Sequence, residues 1–189
     1  MLEKYKAPPP LLYLRGAYFQ VKTALCSFCL KSGILCQKCS EKVKSGEVTE
    51  LDLKVARLLL SLEESYPPLQ NVYFYKAVDA GKALAILVGK GDVPRLLGYG
   101  GKIIKVLGEK TGKTIRVLEH GVEDRKFLED LFAPLSIVTI NTIWLPDGTT
   151  ETRVILRRKG GKQPPFDVKA LKEIARKIRN MTLRVEFAD

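Results

Sequence analysis

The sequence predicts an α+β protein: a small cysteine-bearing module followed by two similar units, each a three-stranded sheet packed by helices on one face. Three observations carry this. Four cysteines form two C-x-x-C pairs near the N-terminus. Helical and strand periodicities then recur in nearly the same order over 47–120 and 121–189. Within the first of these units, a glycine-rich turn from Leu97 to Ile104 joins two short helical pieces. A composition of 46% apolar and 28% charged residues is that of a folded globular chain, and 189 residues suit two or three small domains better than one.

Residues 1–22 read as a basic, aromatic, extended arm. Pro8-Pro9-Pro10 imposes stiff, solvated polyproline geometry, and Tyr5, Tyr13, Tyr18 and Phe19 are scattered among Lys4, Lys6, Arg15 and Lys22 without a helical or strand period. Such an arm suits stacking on bases, lying on a protein partner, or packing on the chain's own domains. Residues 23–46 hold Cys26, Cys29, Cys36 and Cys39, which are all the cysteines of the protein. Each C-x-x-C turn places two thiolates on one side of a tight knuckle, and two knuckles supply the tetrahedral sulfur set of a structural zinc, one per chain. A closed four-thiolate shell leaves no position for a catalytic water. Iron takes the same ligands, and two disulfides would require the chemistry of a hyperthermophile. The short separation of the pairs predicts a loop-and-knuckle site with little core of its own, to which metal supplies folding energy.

The first unit, 47–120, opens with a helix. Thr49 caps it with Asp52 three residues on, and Leu51, Val55, Leu58, Leu59 and Leu62 repeat at helical spacing before Pro67-Pro68. Val72 to Val78 reads as a strand, Asp79-Ala80-Gly81 as a turn, and Ala83 to Val88 as a strand buried on both faces. Asp92 is placed to cap a short helix over Val93 to Leu97, with Pro94 tolerated in its first turn. After the glycine turn, Ile103, Ile104 and Leu107 mark the buried face of a second helix stopped by Gly112, and Thr114 to Leu118 is a strand.

In the second unit, 121–189, Phe127, Leu128, Leu131 and Phe132 make an amphipathic helix ended by Pro134. Ile137 to Trp144 and Thr152 to Leu156 flank a Pro146-Asp147-Gly148 turn, and Val168, Leu171, Ala175 and Ile178 line a helix before the strand Thr182 to Phe187. Where the first unit has its glycine turn, this one has Lys159-Gly160-Gly161-Lys162-Gln163-Pro164-Pro165. The prolines there remove amide donors that a phosphate cradle would use, so the second unit reads as a degenerate copy.

Net charge is +11 and its placement is uneven. Lys90 to Arg116 holds seven basic against two acidic residues, and Arg153 to Arg184 eleven against two, so the rest of the chain is slightly acidic. Two basic blocks point to a polyanion partner, since each cation facing a phosphate releases a counterion. Glycines at 98 and 101 let a sugar-phosphate chain approach closely, and the helix that follows points free amides and its positive dipole end at a phosphate. The candidate nucleic-acid-binding residues are therefore Gly98, Tyr99, Gly100, Gly101, Lys102 and Lys105, with Lys90, Arg95 and Arg116 supplying further field. A groove near Leu84, Ile86, Ile104 and Leu107 would take bases. His120 reads as a turn or surface residue and Trp144 as a core residue. No paired acids, open metal site or nucleophile with a base beside it appears, so no catalysis is expected. With no long apolar run and no signal-like N-terminus, a cytoplasmic protein is expected.

Gly98-Tyr99-Gly100-Gly101 resembles the GXXG loop of KH domains, which clamps about four nucleotides of single-stranded nucleic acid. Leu97 to Lys102 with Ile104, and the link Phe127-Leu128-Glu129-Asp130-Leu131-Phe132-Ala133-Pro134, look like the tandem type II KH region of archaeal NusA-like transcription factors, over roughly Val48 to Asp189. The resemblance implies two type II KH domains that bind nascent RNA to modulate transcription elongation or termination, with RNA polymerase as partner machine and no catalysis. The missing second GXXG and the added cysteine knuckle depart from that pattern. The alternative is a ribosome-associated or ribosome-assembly protein wedged into folded RNA.

Overall fold

The computed structural model describes residues 21–158 and 163–188. The expected arm up to residue 20, and Lys159 to Lys162 of the second unit's connection, lie outside the described residues. The end of the arm does not stand apart. Val21 is buried, and Lys22 pairs in parallel with Tyr73, its amide donating to the Val72 carbonyl (2.8 Å) and its carbonyl accepting from the Phe74 amide (2.7 Å).

Two short helices, α1 (Ser27–Ser32) and α2 (Gln37–Lys44), carry the cysteines, and α3 (Glu50–Leu62) follows. A capping box opens α3: Thr49 Oγ1 accepts from the Asp52 amide, and Asp52 accepts in return from the Thr49 amide (2.8 Å). Asp52 is itself buried, and its second oxygen accepts from the amide of Ala77 (2.6 Å). One carboxylate thus starts a helix and satisfies a backbone donor on the strand beneath it.

The first sheet contains β1 (Phe74–Ala80), β2 (Ala83–Val88) and β3 (Thr114–Glu119). β1 and β2 are antiparallel, and β2 and β3 are parallel through a crossover of α4 (Val93–Leu97), a 3-10 turn at Tyr99–Gly101 and α5 (Lys102–Thr111). The strand β1 runs through Asp79 and Ala80, which the sequence reading assigned to the turn; the reversal lies at Gly81 and Lys82. All six residues of β2 are buried, because the sheet is covered on both faces. Leu84, Ile86 and Val88 point to α3, α4, α5 and the cysteine helices. Ala83, Ala85 and Leu87 point to the opposite core, which is shared with the second unit.

The second unit repeats the topology. α6 (Asp124–Phe132) leads into β4 (Ile137–Trp144), β5 (Thr150–Arg157), α7 (Val168–Arg179) and β6 (Leu183–Ala188), with β4 and β5 antiparallel and β5 and β6 parallel. Asp167 caps α7 by accepting from the amides of Lys169 (2.9 Å) and Ala170 (3.2 Å). Both α6 and α7 touch both sheets, so one core holds Leu118, Phe127, Leu131, Val154, Leu156, Leu171 and Ile174 together.

The cysteine module, with little core of its own, packs into the first unit: Leu25, Leu30, Cys29, Cys39 and Val48 belong to that unit's core with Val55, Ala56 and Leu59. One expectation about burial fails. Trp144, expected in the core, is 77% exposed. It ends β4 at the turn formed by Leu145 to Thr149, and aromatic character alone did not reveal that the strand outruns its cover.

Candidate metal centre and nucleic-acid interface

Both C-x-x-C pairs straddle the start of a helix. Cys26 and Cys36 occupy the N-cap positions of α1 and α2, and Cys29 and Cys39 follow three residues later in the first turns. No oxygen-bearing side chain caps either helix, so first-turn amides face sulfur, an arrangement that favours thiolate. The Cys36 amide donates to Cys29 Sγ (3.0 Å), and the four sulfurs lie within 4.8 Å of one another. Thiolates about 2.3 Å from a tetrahedral ion sit roughly 3.8 Å apart. The 3.8 Å between Cys26 and Cys39 matches this, and the 3.1 Å between Cys26 and Cys29 is tighter.

The thiols are electrostatically divided. The Cys39 amide leads in holding Cys36 down to about 7, and the Cys29 amide lowers Cys26. At Cys29 the Cys36 amide pulls downward, but the neighbouring Cys26 sulfur and burial outweigh it and push the thiol up to about 12. A cation would resolve this competition by drawing off the remaining protons. The donor set fits a thiophilic metal ion.

At the glycine turn, backbone shape rather than side-chain chemistry makes the site. Tyr99, Gly100 and Gly101 are three successive left-handed residues, at φ of 55°, 63° and 76°. For Tyr99 that conformation is unusual for a bulky residue. Gly98 is needed for another reason: its φ is −58°, but an added Cβ would meet the Pro94 carbonyl oxygen at 3.3 Å. The turn packs its own backbone at Gly98 and projects Tyr99 and Gly100 outward, both exposed. Gly101 then caps α5 without any side-chain acceptor for the first-turn amides.

Of the expected cations, Lys102 and Lys105 lie exposed on the first turn of α5, and Lys90 lies exposed just before α4. None of the three has a carboxylate partner among the described residues. Arg95 is engaged locally, pairing with Asp92 (2.9 Å) and donating to the Asn71 carbonyl (3.0 Å). Arg116 stands elsewhere: it donates to the Ala133 carbonyl and lies 5.0 Å over the Phe166 ring, in the contact between the units. Burial lowers its pKa from the usual guanidinium value.

The expected base groove is not formed by the residues named for it. Leu84, Ile86 and Leu107 are fully buried, and Ile104 packs against the same core. The cap expected from Asp92 is also different. Its side chain makes no bond to the α4 amides and instead accepts from the Tyr73 amide (2.9 Å) and Arg95, tying the start of α4 to the first sheet.

Two aromatic features escaped the sequence reading. Tyr66 meets Tyr99 edge to face, with ring centroids 5.8 Å apart, so the turn is braced from the 3-10 segment Pro67–Asn71 that precedes β1. Tyr73, Tyr75 and His120 form a row, with centroids 4.4 and 4.1 Å apart. The two tyrosines at period-two spacing were the available signal for the second.

No protein-family model matches the chain. It is 29% identical over 96 residues to the probable transcription termination protein NusA of Methanocaldococcus jannaschii, a match covering 48% of this chain and 51% of that one. It is 30% identical over 54 residues to the protein of the same description from Methanococcus vannielii, covering 29% of this chain and 31% of that one. The chain therefore spans about half or less of the length of these relatives. Among solved structures, that of APE1850 aligns with a TM-score of 0.45 at 22% identity, over 70% of this chain and 96% of that one. Among the described residues, no helix is long and apolar enough to cross a membrane.

Proposed function

We propose that the chain is a single-stranded RNA-binding protein of the KH type, a non-catalytic NusA-like factor acting on transcription elongation or termination. The observation that carries this reading is the exposed turn Gly98 to Gly101 feeding the uncapped start of α5, with Lys90, Lys102 and Lys105 around it and free of carboxylates among the described residues. Backbone amides at a helix start bind phosphate oxygens, and unpaired lysines add salt-sensitive attraction. The partial likeness to archaeal termination proteins supports transcription as the setting. A structural zinc held by Cys26, Cys29, Cys36 and Cys39 completes the proposal, since four thiolates with no open position favour that ion.

The test is a titration of the purified chain against single-stranded and duplex RNA at several fixed salt concentrations, followed by recovery of native partners. Preference for single strands, a negative salt slope and co-purification with RNA polymerase are expected. Co-sedimentation with ribosomal particles instead would favour the ribosome-associated alternative, and absence of RNA binding would overturn both.

A further inference from the structure

Tyr73, Tyr75 and His120 are not part of the glycine turn, and the groove they line opens on another face. Its volume is about 690 Å³, and its walls include Val78, Leu87 and Phe127. Those three residues belong to the core shared with α6 and α7, whereas α4 and α5 pack on the opposite face of the first sheet. The rings are arranged as a column. Tyr75 lies nearly parallel to His120, at 10° and 4.1 Å, and Tyr73 follows at 4.4 Å with a 41° tilt. His120, at the end of β3, is exposed, and Tyr75 remains 44% exposed despite its two neighbours. A β-bulge lies between Phe74 and Lys76, and the Tyr75 ring between them stacks on the residue just past β3, the far strand of the sheet.

The charges around the column nearly balance, and one cation is free among the described residues. Lys76, Lys177 and Arg179 line the groove together with two carboxylates, Glu47 and Glu119. Glu47 is already paired with Lys42 (3.0 Å). Lys177 donates to the Asp79 carbonyl and pairs with Glu173, and Arg179 donates to the Val122 carbonyl and pairs with Asp124 (3.9 Å), so these two cations are already engaged at the groove wall. Lys76 is exposed and has no carboxylate partner among the described residues.

Resting on the reading of the chain as an RNA-binding protein, we infer that this groove is a second RNA contact. A nucleobase of single-stranded RNA extends the Tyr73–Tyr75–His120 column while Lys76 meets the adjoining phosphate. Stacking on aromatic rings tolerates any base, because every base has a π-face. The site therefore lengthens the RNA footprint beyond the four or so nucleotides of a GXXG turn without adding sequence preference.

The experiment compares the wild type, the double variant Tyr75→Ala/His120→Ala and the loop variant Tyr99→Asp/Gly100→Asp. Each is titrated with oligouridine of about four nucleotides, the length one loop clamps, and of about sixteen, enough for an extended site. The Tyr75→Ala/His120→Ala variant should bind the long oligonucleotide roughly 5- to 160-fold more weakly, the range that loss of one stacked base gives, and bind the short one as the wild type does. His120→Phe, which keeps a ring in the column, should retain long-oligonucleotide affinity. Ultraviolet crosslinking of the wild type should label the peptide holding Tyr73 and Tyr75 or that holding His120, and should still do so in the loop variant. Wild-type affinity for the long oligonucleotide in the Tyr75→Ala/His120→Ala variant, with no crosslink at these peptides, overturns the second contact and leaves the loop reading standing. Failure of the wild type to bind either oligonucleotide overturns both.

Discussion

Replacing Asp52 by alanine tests whether one buried carboxylate couples the start of α3 to the first sheet. In the native fold its oxygens accept from the Thr49 amide (2.8 Å), the Thr49 hydroxyl (2.7 Å) and the Ala77 amide (2.6 Å), and the residue is 3% exposed. Alanine removes both acceptor oxygens and with them all three bonds. Loss of the N-terminal capping interaction costs about 1 kcal/mol by analogy with other caps. The Ala77 amide, on the edge strand β1 and buried, is left without a partner, which costs about 1–3 kcal/mol. The sum is about 2–4 kcal/mol, a large share of the roughly 5–15 kcal/mol by which domains are stable. Asp52→Asn keeps one carbonyl oxygen and should lose about half as much. The assay is urea unfolding followed by circular dichroism at constant metal content. With a slope of about 2 kcal/mol per molar, the middle of the range for small proteins in urea, the midpoint of Asp52→Ala should fall by about 1–2 M. A shift of less than about 0.3 M, or equal shifts for alanine and asparagine, would refute the coupling.

Two further outcomes follow from the same structure. Elemental analysis should find one zinc per chain, and chelation should raise amide exchange through α3 as well as around the cysteines, because Cys29, Cys39, Leu25 and Leu30 share a core with Val55 and Leu59; exchange changes confined to 26–39, or no bound metal, would count against this. The Lys113 ammonium holds the Asp79 carboxyl below the usual carboxylate range. A lowered folded-state pKa means the pair's stabilisation is complete above the unfolded value of about 3.9 and is lost as pH falls through the folded value. Asp79→Asn should therefore narrow the stability difference between pH 7 and acid, measured by urea midpoints, and an unchanged difference would show that the pair contributes nothing.

Much of the architecture was legible because it follows from period and punctuation. Thr49 with Asp52, the six apolar residues of β2, the stop at Gly112 and the face made by Phe127, Leu128, Leu131 and Phe132 each act locally, and each appears where local chemistry puts it. What escaped depends on residues distant in sequence. Asp92 reads as a helix cap, but the Tyr73 amide, 19 positions away, claims its carboxylate. Arg116 reads as one more cation of a basic block, but strand alternation turns it toward Ala133 and Phe166 of the following unit. Leu84, Ile86 and Leu107 read as groove lining near the turn, yet the addition of α3 and the cysteine helices to that face seals them in. The backbone at Gly98 to Gly101 was legible as a tight turn, but not that Tyr99 itself would adopt the left-handed conformation and lean on Tyr66.

The most direct measurement of the central claim is the affinity of Tyr99→Asp/Gly100→Asp for single-stranded RNA at one fixed salt concentration. Both positions lie on an exposed turn and a Cβ at Gly100 meets nothing within 4 Å; its φ of 63° costs a non-glycine residue about 1–2 kcal/mol, less than the stability of a domain, so the fold should survive with a somewhat lower urea midpoint. Two carboxylates placed where phosphate approaches an uncapped helix start should weaken binding at least about tenfold, equivalent to 1.4 kcal/mol. Affinity equal to that of the wild type, in a variant that still unfolds cooperatively, would contradict the assignment of the turn as the RNA site.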